Sequence, residues 1–290
     1  LKQLLGVKSR LKALHLQNNE LGTQSFQVLC SMLPINTRLQ VLEIQNNRFG
    51  NEPKAGVALG NSLRNNKSLV HLGVSLSDVV PHASGKHGVT YVGNPAGLLA
   101  SFAHPPHAFC SLGLRGALVT PRSIEAFTKY HSAIFKSLVT LDMSHALMGP
   151  EGCYHLCEAI ATTRSCSLTA LNVPYNRLGN DGAVSLGKLL ERNRSITSVD
   201  ARSNQIHGLG AAALSTSLQF ATKRSFGTPI ARIDLGHNPL DKAGAQALLR
   251  AVERCPSILS WGKHLNLPVG VKARLRKVLQ ENLLGDRADQ

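Results

Sequence analysis

Apolar residues recur along this chain in two alternating rhythms. Residues 168 to 190 show both. Leu168, Leu171, Val173 and Leu178, with Asn176 between the last two, follow L-x-x-L-x-L-x-x-N-x-L. The alternating Leu-x-Val core is the period of a short strand with one buried face. Gly182 to Leu190 then carries apolar residues at helical spacing, as does Gly210 to Leu218. The same unit returns as Leu11/Leu14/Leu16/Asn19/Leu21, Leu39/Leu42/Ile44/Asn47/Phe49, Ile196/Val199/Ala201/Asn204/Ile206 and Ile230/Ile233/Leu235/Asn238/Leu240. Three copies lack the Asn: the Leu69, Phe109 and Leu138 units have Ser77, Ala117 and Ala146 there. The Asn-equivalent positions are spaced 28, 30, 40, 29, 30, 28 and 34 residues apart.

A period near 30 leaves room for a strand and a full helix in each unit. No unit can bury its own apolar face, so neighbours must stack. The pattern predicts about eight parallel strands centred on residues 14, 42, 72, 112, 141, 171, 199 and 233. The Asn side chain is expected to bond backbone groups where the strand turns off. The run from Asn176 to Leu186, Asn-x-Leu-Gly-x-x-Gly-Ala-x-x-Leu, resembles the ribonuclease-inhibitor type of leucine-rich repeat; Gly149 to Ile160 and Ala243 to Val252 are weaker copies. The resemblance implies an α/β solenoid, a right-handed horseshoe with the parallel sheet on the concave side and helices on the convex side. It spans residues 1–262, and residues 263–290 read as a C-terminal capping helix and tail. The interval of 40 predicts an insertion over about 78–108, an extended loop with a short helix near Pro95 to Phe102. Leu1 to Val7 reads as the end of a preceding repeat's helix, so an upstream part is expected.

Composition adds less. Apolar residues make up 43% of the chain, and no apolar run approaches the roughly 18 residues that span a membrane. The six cysteines have neither disulfide-framework nor zinc-finger spacing and read as small apolar filler in a reducing, intracellular compartment. Asn66-Lys-Ser68 and Asn193-Arg-Ser195 match the glycosylation pattern, but both occupy the helix-to-strand turn and are explained by the repeat. His104, His107 and Cys110 flank Pro105-Pro106 and read as a stiff loop; no metal and no cofactor is expected. Phosphate-loop, H-E-x-x-H and G-x-S-x-G motifs are absent, so no enzyme is expected.

The net charge of +15, from 32 basic and 17 acidic residues, predicts an acidic partner. The repeat places that charge. On the concave strands Lys12, Glu43, Arg115, Asp142, Asp200, Arg202, Arg232 and Asp234 balance one another, and His15, His71, His145 and His237 join them. The concave row His145, Asp142, Tyr175, Asp200, Arg202, Arg232 and Asp234 reads as a charged recognition strip. The excess precedes the strands: Arg38, Arg64, Lys67, Arg164, Arg192, Arg194, Lys223 and Arg224 should form a basic rim at the helix-to-strand edge. Either this rim binds an anionic partner or its charges complement helix C-termini.

The function this predicts is a non-catalytic scaffold in a large intracellular assembly. Acidic tubulin or actin surfaces would suit the rim, which favours the cytoskeleton or cilium and leaves a mitochondrion or other organelle open. A ribonucleoprotein subunit, ribosomal for example, would lay the same rim on RNA phosphates. Aromatic residues are only 4% of the chain, which argues against base stacking. The resemblance also includes activators of the small GTPase Ran, but those carry a strongly acidic tail, and this chain ends in the mildly charged Leu284 to Gln290.

Overall fold

The computed structural model describes residues 1–51, 55–75, 79–80, 89–90, 109–117, 119–125, 132–223, 229–262, 265 and 267–288. The chain divides into two compact units, Leu1–Leu147 with Thr163–Leu168, and Met148–Thr162 with Thr169–Gln290. The expected short helix over 95–102 and the pair His104 and His107 lie outside the described residues.

In the first unit the helices include α1 (Lys2–Leu5), α2 (Thr23–Met32) and α3 (Ala55–Leu63), with 3-10 turns at Arg48–Asn51 and Ser132–Lys136. The strands are β1 (Ala13–His15), β2 (Val41–Glu43), β3 (His71–Gly73), β4 (Val79–Val80), β5 (Val89–Thr90), β6 (Ser111–Gly113) and β7 (Thr140–Asp142). Strands β1, β2, β3, β6 and β7 pair in that order, all parallel, with Leu14, Leu42, Leu72, Leu112 and Leu141 in register. β4 and β5 pair with each other, antiparallel. β3 bonds directly to β6 across the long interval.

The second unit runs α4 (Gly149–Thr162), β8 (Ala170–Asn172), α5 (Gly179–Arg192), β9 (Ser198–Asp200), α6 (Gly208–Lys223), β10 (Arg232–Asp234), α7 (Lys242–Arg254) and α8 (Val269–Ala288). β8, β9 and β10 are parallel neighbours. A further bridge joins Arg232 to Ser260, beside Ile258 and Trp261, both buried. Trp261 thus fills the middle-leucine position of a truncated ninth unit. That copy is hidden in the sequence because it has lost its Leu and Asn marks.

Strands of three residues suffice because only the central side chain faces the helices. Leu42, Leu72, Leu112 and Leu171 are fully buried while residues on either side are exposed or half-buried, except Gly73 and Gly113. Each such burial is worth about 1.5–3 kcal/mol. The Asn of the repeat ties neighbours together. Asn204 Nδ2 donates to Val173 O at 2.8 Å, while its Oδ1 accepts the Asn176 N–H at 2.7 Å. Asn238 repeats this toward Ala201 O and the Asn204 N–H, and Asn47 toward Leu16 O and the Asn19 N–H. The residues flanking this Asn are left-handed: Asn18 and Glu20, Tyr175 and Arg177, Ser203 and Gln205 all have positive φ.

A second Asn series closes the helix-to-strand turns. Buried Asn36 accepts the Arg38 and Leu39 N–H groups and donates to Leu5 O. Asn66 accepts those of Ser68 and Leu69 and donates to Leu33 O. Asn193 accepts those of Ser195 and Ile196. Cys255 stands at this position in the last turn, with its Sγ 3.6 Å from Leu218 O and 2.9 Å from Thr222 Oγ1. Asn66 and Asn193 are 1% and 6% exposed, so the two glycosylation-like motifs are turn anchors in this fold.

Candidate interaction surface

The turn anchors decide where the basic residues point. The amide of Asn36 or Asn66 occupies the inside of its turn, and an exposed cation, Arg38 or Lys67, follows it one or two residues on. Lys136 and Arg164, exposed as well, lie in the turns that precede Leu138 and Leu168. None of these four makes an ion pair or side-chain hydrogen bond among the described residues. The Arg64 guanidinium donates to the Asn61 amide oxygen at 3.3 Å. All five belong to the first unit.

The second unit differs. Arg192 lies in the last turn of α5 and grips the Glu158 carboxylate at 2.9 and 3.1 Å. Arg194 is exposed one turn position later. Lys223 ends α6, and its side chain lies outside the described residues together with all of Arg224. Helix-dipole stabilisation decays within the last turn. It accounts for Arg192, whereas α2 and α3 have no basic residue in their last turns, and Arg38 and Lys67 stand beyond those helices.

On the open faces of the sheets the acids meet their own backbone. Asp142, Asp200 and Asp234 each accept the N–H two residues on, from Ser144, Arg202 and Gly236 at 2.8, 3.1 and 2.8 Å. Arg202 adds contacts of 2.6 Å to Asp200 and 3.5 Å to Asp234, and the bond to Asp200 pushes its guanidinium pKa up. Arg232 stays exposed on β10. His145 and Tyr175 stand one step past the sheet, at left-handed loop positions, as does His237. In the first unit His71 Nε2 lies 2.7 Å from Glu43 Oε1 and Nδ1 2.7 Å from Ser111 Oγ. This chain crosses three strands and uses both ring nitrogens. A Cβ on Gly73 would collide with the Glu43 and Gln45 side chains, which lean over that strand.

Beside them is a groove of about 740 Å³ lined by Gln17, Asn18, Glu43, Gln45, Asn46, Asn47, Ser75, Arg115, Gly116 and His145. It is rich in carboxamides, and Asn46 Nδ2 donates to Asn18 Oδ1 at 2.7 Å. Among the described residues no group of His, Cys, Asp and Glu could hold a metal ion, and no helix is long and apolar enough to cross a membrane.

The cysteines are free. Cys153 and Cys157, on one face of α4, are buried with sulfurs 3.8 Å apart. The Cys153 thiol and burial raise the Cys157 pKa, and burial pushes Cys30 up to about 11.

The leucine rich repeat family model matches residues 164–187. No curated protein sequence matches significantly. Among solved structures, the leucine-rich-repeat-containing protein LegL7 from Legionella pneumophila has a TM-score of 0.54 at 15% identity, over 93% of this chain and 82% of that one. The actin-binding site 2 structure of leiomodin-1 has a TM-score of 0.49 at 14% identity, over 56% of this chain and 90% of its own. The tropomodulin C-terminal domain of Caenorhabditis elegans has 0.48 at 16%, over 58% and 96%. The likeness to LegL7 is one of fold.

Proposed function

We propose that this chain, which carries the leucine-rich-repeat fold, is a non-catalytic protein-interaction scaffold whose partner is an acidic protein surface in a large assembly, with a cytoskeletal or ciliary assembly favoured. One observation carries the reading. Arg38, Lys67, Lys136 and Arg164 are exposed at four helix-to-strand turns of the first unit, and among the described residues no acid pairs with them. Asp142, Asp200 and Asp234, by contrast, each accept a backbone N–H at the end of their strand. The free cysteines suit a reducing compartment. Acidic filaments such as actin or microtubules present the charge this rim would meet.

The test is cosedimentation of the protein with actin filaments and with microtubules at low and high salt. Binding should weaken as salt rises, because exposed charge contacts are screened over roughly 8 Å at physiological ionic strength. Replacing Arg38, Lys67, Lys136 and Arg164 together by Glu should abolish it while leaving the thermal unfolding curve in place. Wild-type binding by that variant overturns the rim as the interface. Association with ribosomal RNA that nuclease abolishes overturns the protein partner and leaves the ribonucleoprotein reading.

A further inference from the structure

We propose that the first three helix-to-strand turns form a linear docking track for an extended acidic peptide segment with an acid at every second residue. This rests on the scaffold reading above and names the form of its partner.

The three turns precede β1, β2 and β3, which are consecutive, hydrogen-bonded strands of one unit. Each is closed from inside by a short polar side chain. Ser9 Oγ accepts the Leu11 N–H at 3.2 Å, Asn36 accepts those of Arg38 and Leu39, and Asn66 those of Ser68 and Leu69. The backbone of each turn is thus satisfied by its own anchor and offers a partner little. What each turn does offer is one outward cation: Arg10, Arg38 and Lys67, all exposed. Lys8 and Arg64 reinforce the outer two turns.

The local charge is uncompensated. Residues 1–75 hold nine basic side chains and three acids, Glu20, Glu43 and Glu52. Glu20 is held by Arg48 at 3.0 Å, and Glu43 reaches over β3 to His71. Glu52 lies outside the described residues. No described acid therefore answers the three turn cations, and an acidic partner meets no competing carboxylate.

Spacing selects the form of that partner. Neighbouring strands lie about 4.7–4.9 Å apart, and packed helices about 8–10 Å. The turns link a helix layer to a strand layer, so their separation falls between the two. An extended chain places every second side chain on one side at about 6.6–6.8 Å, in the middle of that interval. A helix places side chains three and four apart at about 5–6 Å, at its lower edge. An alternating acidic strand can therefore set one carboxylate against each of Arg10, Arg38 and Lys67 in turn. Single-stranded RNA would want aromatic platforms among the cations. In these three turns there are none.

The test is fluorescence anisotropy on the full chain with three labelled peptides of equal acid content. One alternates Glu and Thr, one carries the same residues as a Glu block and a Thr block, and one sets its Glu residues in an alanine helix. The alternating peptide should bind best. The variant Arg10→Glu, Arg38→Glu, Lys67→Glu should weaken it about tenfold, the sum expected of three exposed charge contacts. The milder variant Arg10→Gln, Arg38→Gln, Lys67→Gln should weaken it in the same direction with an unchanged melting curve. Equal binding of all three peptides, or tighter binding of an oligouridine of matched charge, overturns the track. If no peptide binds while filament binding still depends on Arg38 and Lys67, the track is wrong and the scaffold reading survives. If filament binding ignores those residues, both fall.

Discussion

Asp200 holds Arg202 twice: its carboxylate accepts the Arg202 backbone N–H at 3.1 Å and the guanidinium at 2.6 to 3.1 Å. The backbone half of this contact recurs at Asp142 with Ser144, and at Asp234 with Gly236, where the Arg202 guanidinium stands farther off at 3.5 Å. The carboxylate is needed by the strand end, and Arg202 adds to it. At Asn172, the equivalent position of β8, the residue two positions on is Pro174, which has no N–H to give.

Replacing Asp142 by Ala should therefore cost about 1–3 kcal/mol, because the Ser144 N–H loses its acceptor. Asp142→Asn should recover most of this. Asn172→Ala should stay within about 0.5 kcal/mol of wild type. Urea unfolding measures all three, and equal losses at 142 and 172 would refute the capping role.

The two Asn series invite a sharper comparison. Asn204→Ala removes a buried amide that serves Val173 O and the Asn176 N–H at once. Val173 O keeps the Asn176 Nδ2 donor at 3.0 Å, so the cost is about 1–3 kcal/mol for the Asn176 N–H left without its acceptor. Asn19 holds the same place in the sequence pattern but is exposed, and its side-chain amide donates to the nearby Gln17 O. Asn19→Ala should be nearly silent, and amide hydrogen exchange at residue 176 should accelerate only in the Asn204 variant.

The strands were legible because their cause is local: Leu14, Leu42, Leu72 and the rest must alternate to be buried, and all eight expected centres are strand residues. The turn anchors were not, because Asn36 and Asn66 act on groups about thirty residues away, Leu5 O and Leu33 O. The signal was present as an Asn three residues before the first Leu, and Cys255 shows how easily it is disguised. The acids on the open face were visible as residues but not as strand caps, since a charge on a strand looks the same whether it awaits a partner or holds its own backbone. Which cations of the rim stay unpaired depended on whether a neighbouring helix supplies an acid, as Glu158 does for Arg192.

Cysteine chemistry offers an independent check on packing. Burial raises the Cys30 thiol to about 11 and raises Cys255, and Cys153 with burial raises Cys157. Because the thiolate is the nucleophile, iodoacetamide at neutral pH should label these three far more slowly in the native protein than in denaturant. A thiol pKa raised on folding favours the protonated state. The associated stability is full below the unfolded value of about 9 and is lost as pH rises through the folded value, near 11 for Cys30. Fast native labelling of Cys30 would contradict the packing of α2 on α3.

The two units should respond differently to charge reversal at the rim. Arg192 lies in the last turn of its helix, facing the Glu158 carboxylate with both groups about two-fifths exposed. Arg192→Glu exchanges a favourable dipole contact and an ion pair for a like-charge pair. Each of those terms is worth a few tenths to one kcal/mol on an exposed helix, so the loss should be about 1 kcal/mol. Arg38→Glu removes neither a dipole contact nor a pair, and relieves repulsion in a strongly basic stretch. Its unfolding midpoint should match or slightly exceed wild type, more so at low salt, where unscreened repulsion is larger. The same two variants should reverse their order in partner binding, Arg38→Glu losing affinity and Arg192→Glu keeping it. Equal destabilisation by both would mean that the whole rim serves helix ends, and it would remove the ground for treating the first three turns as an interface.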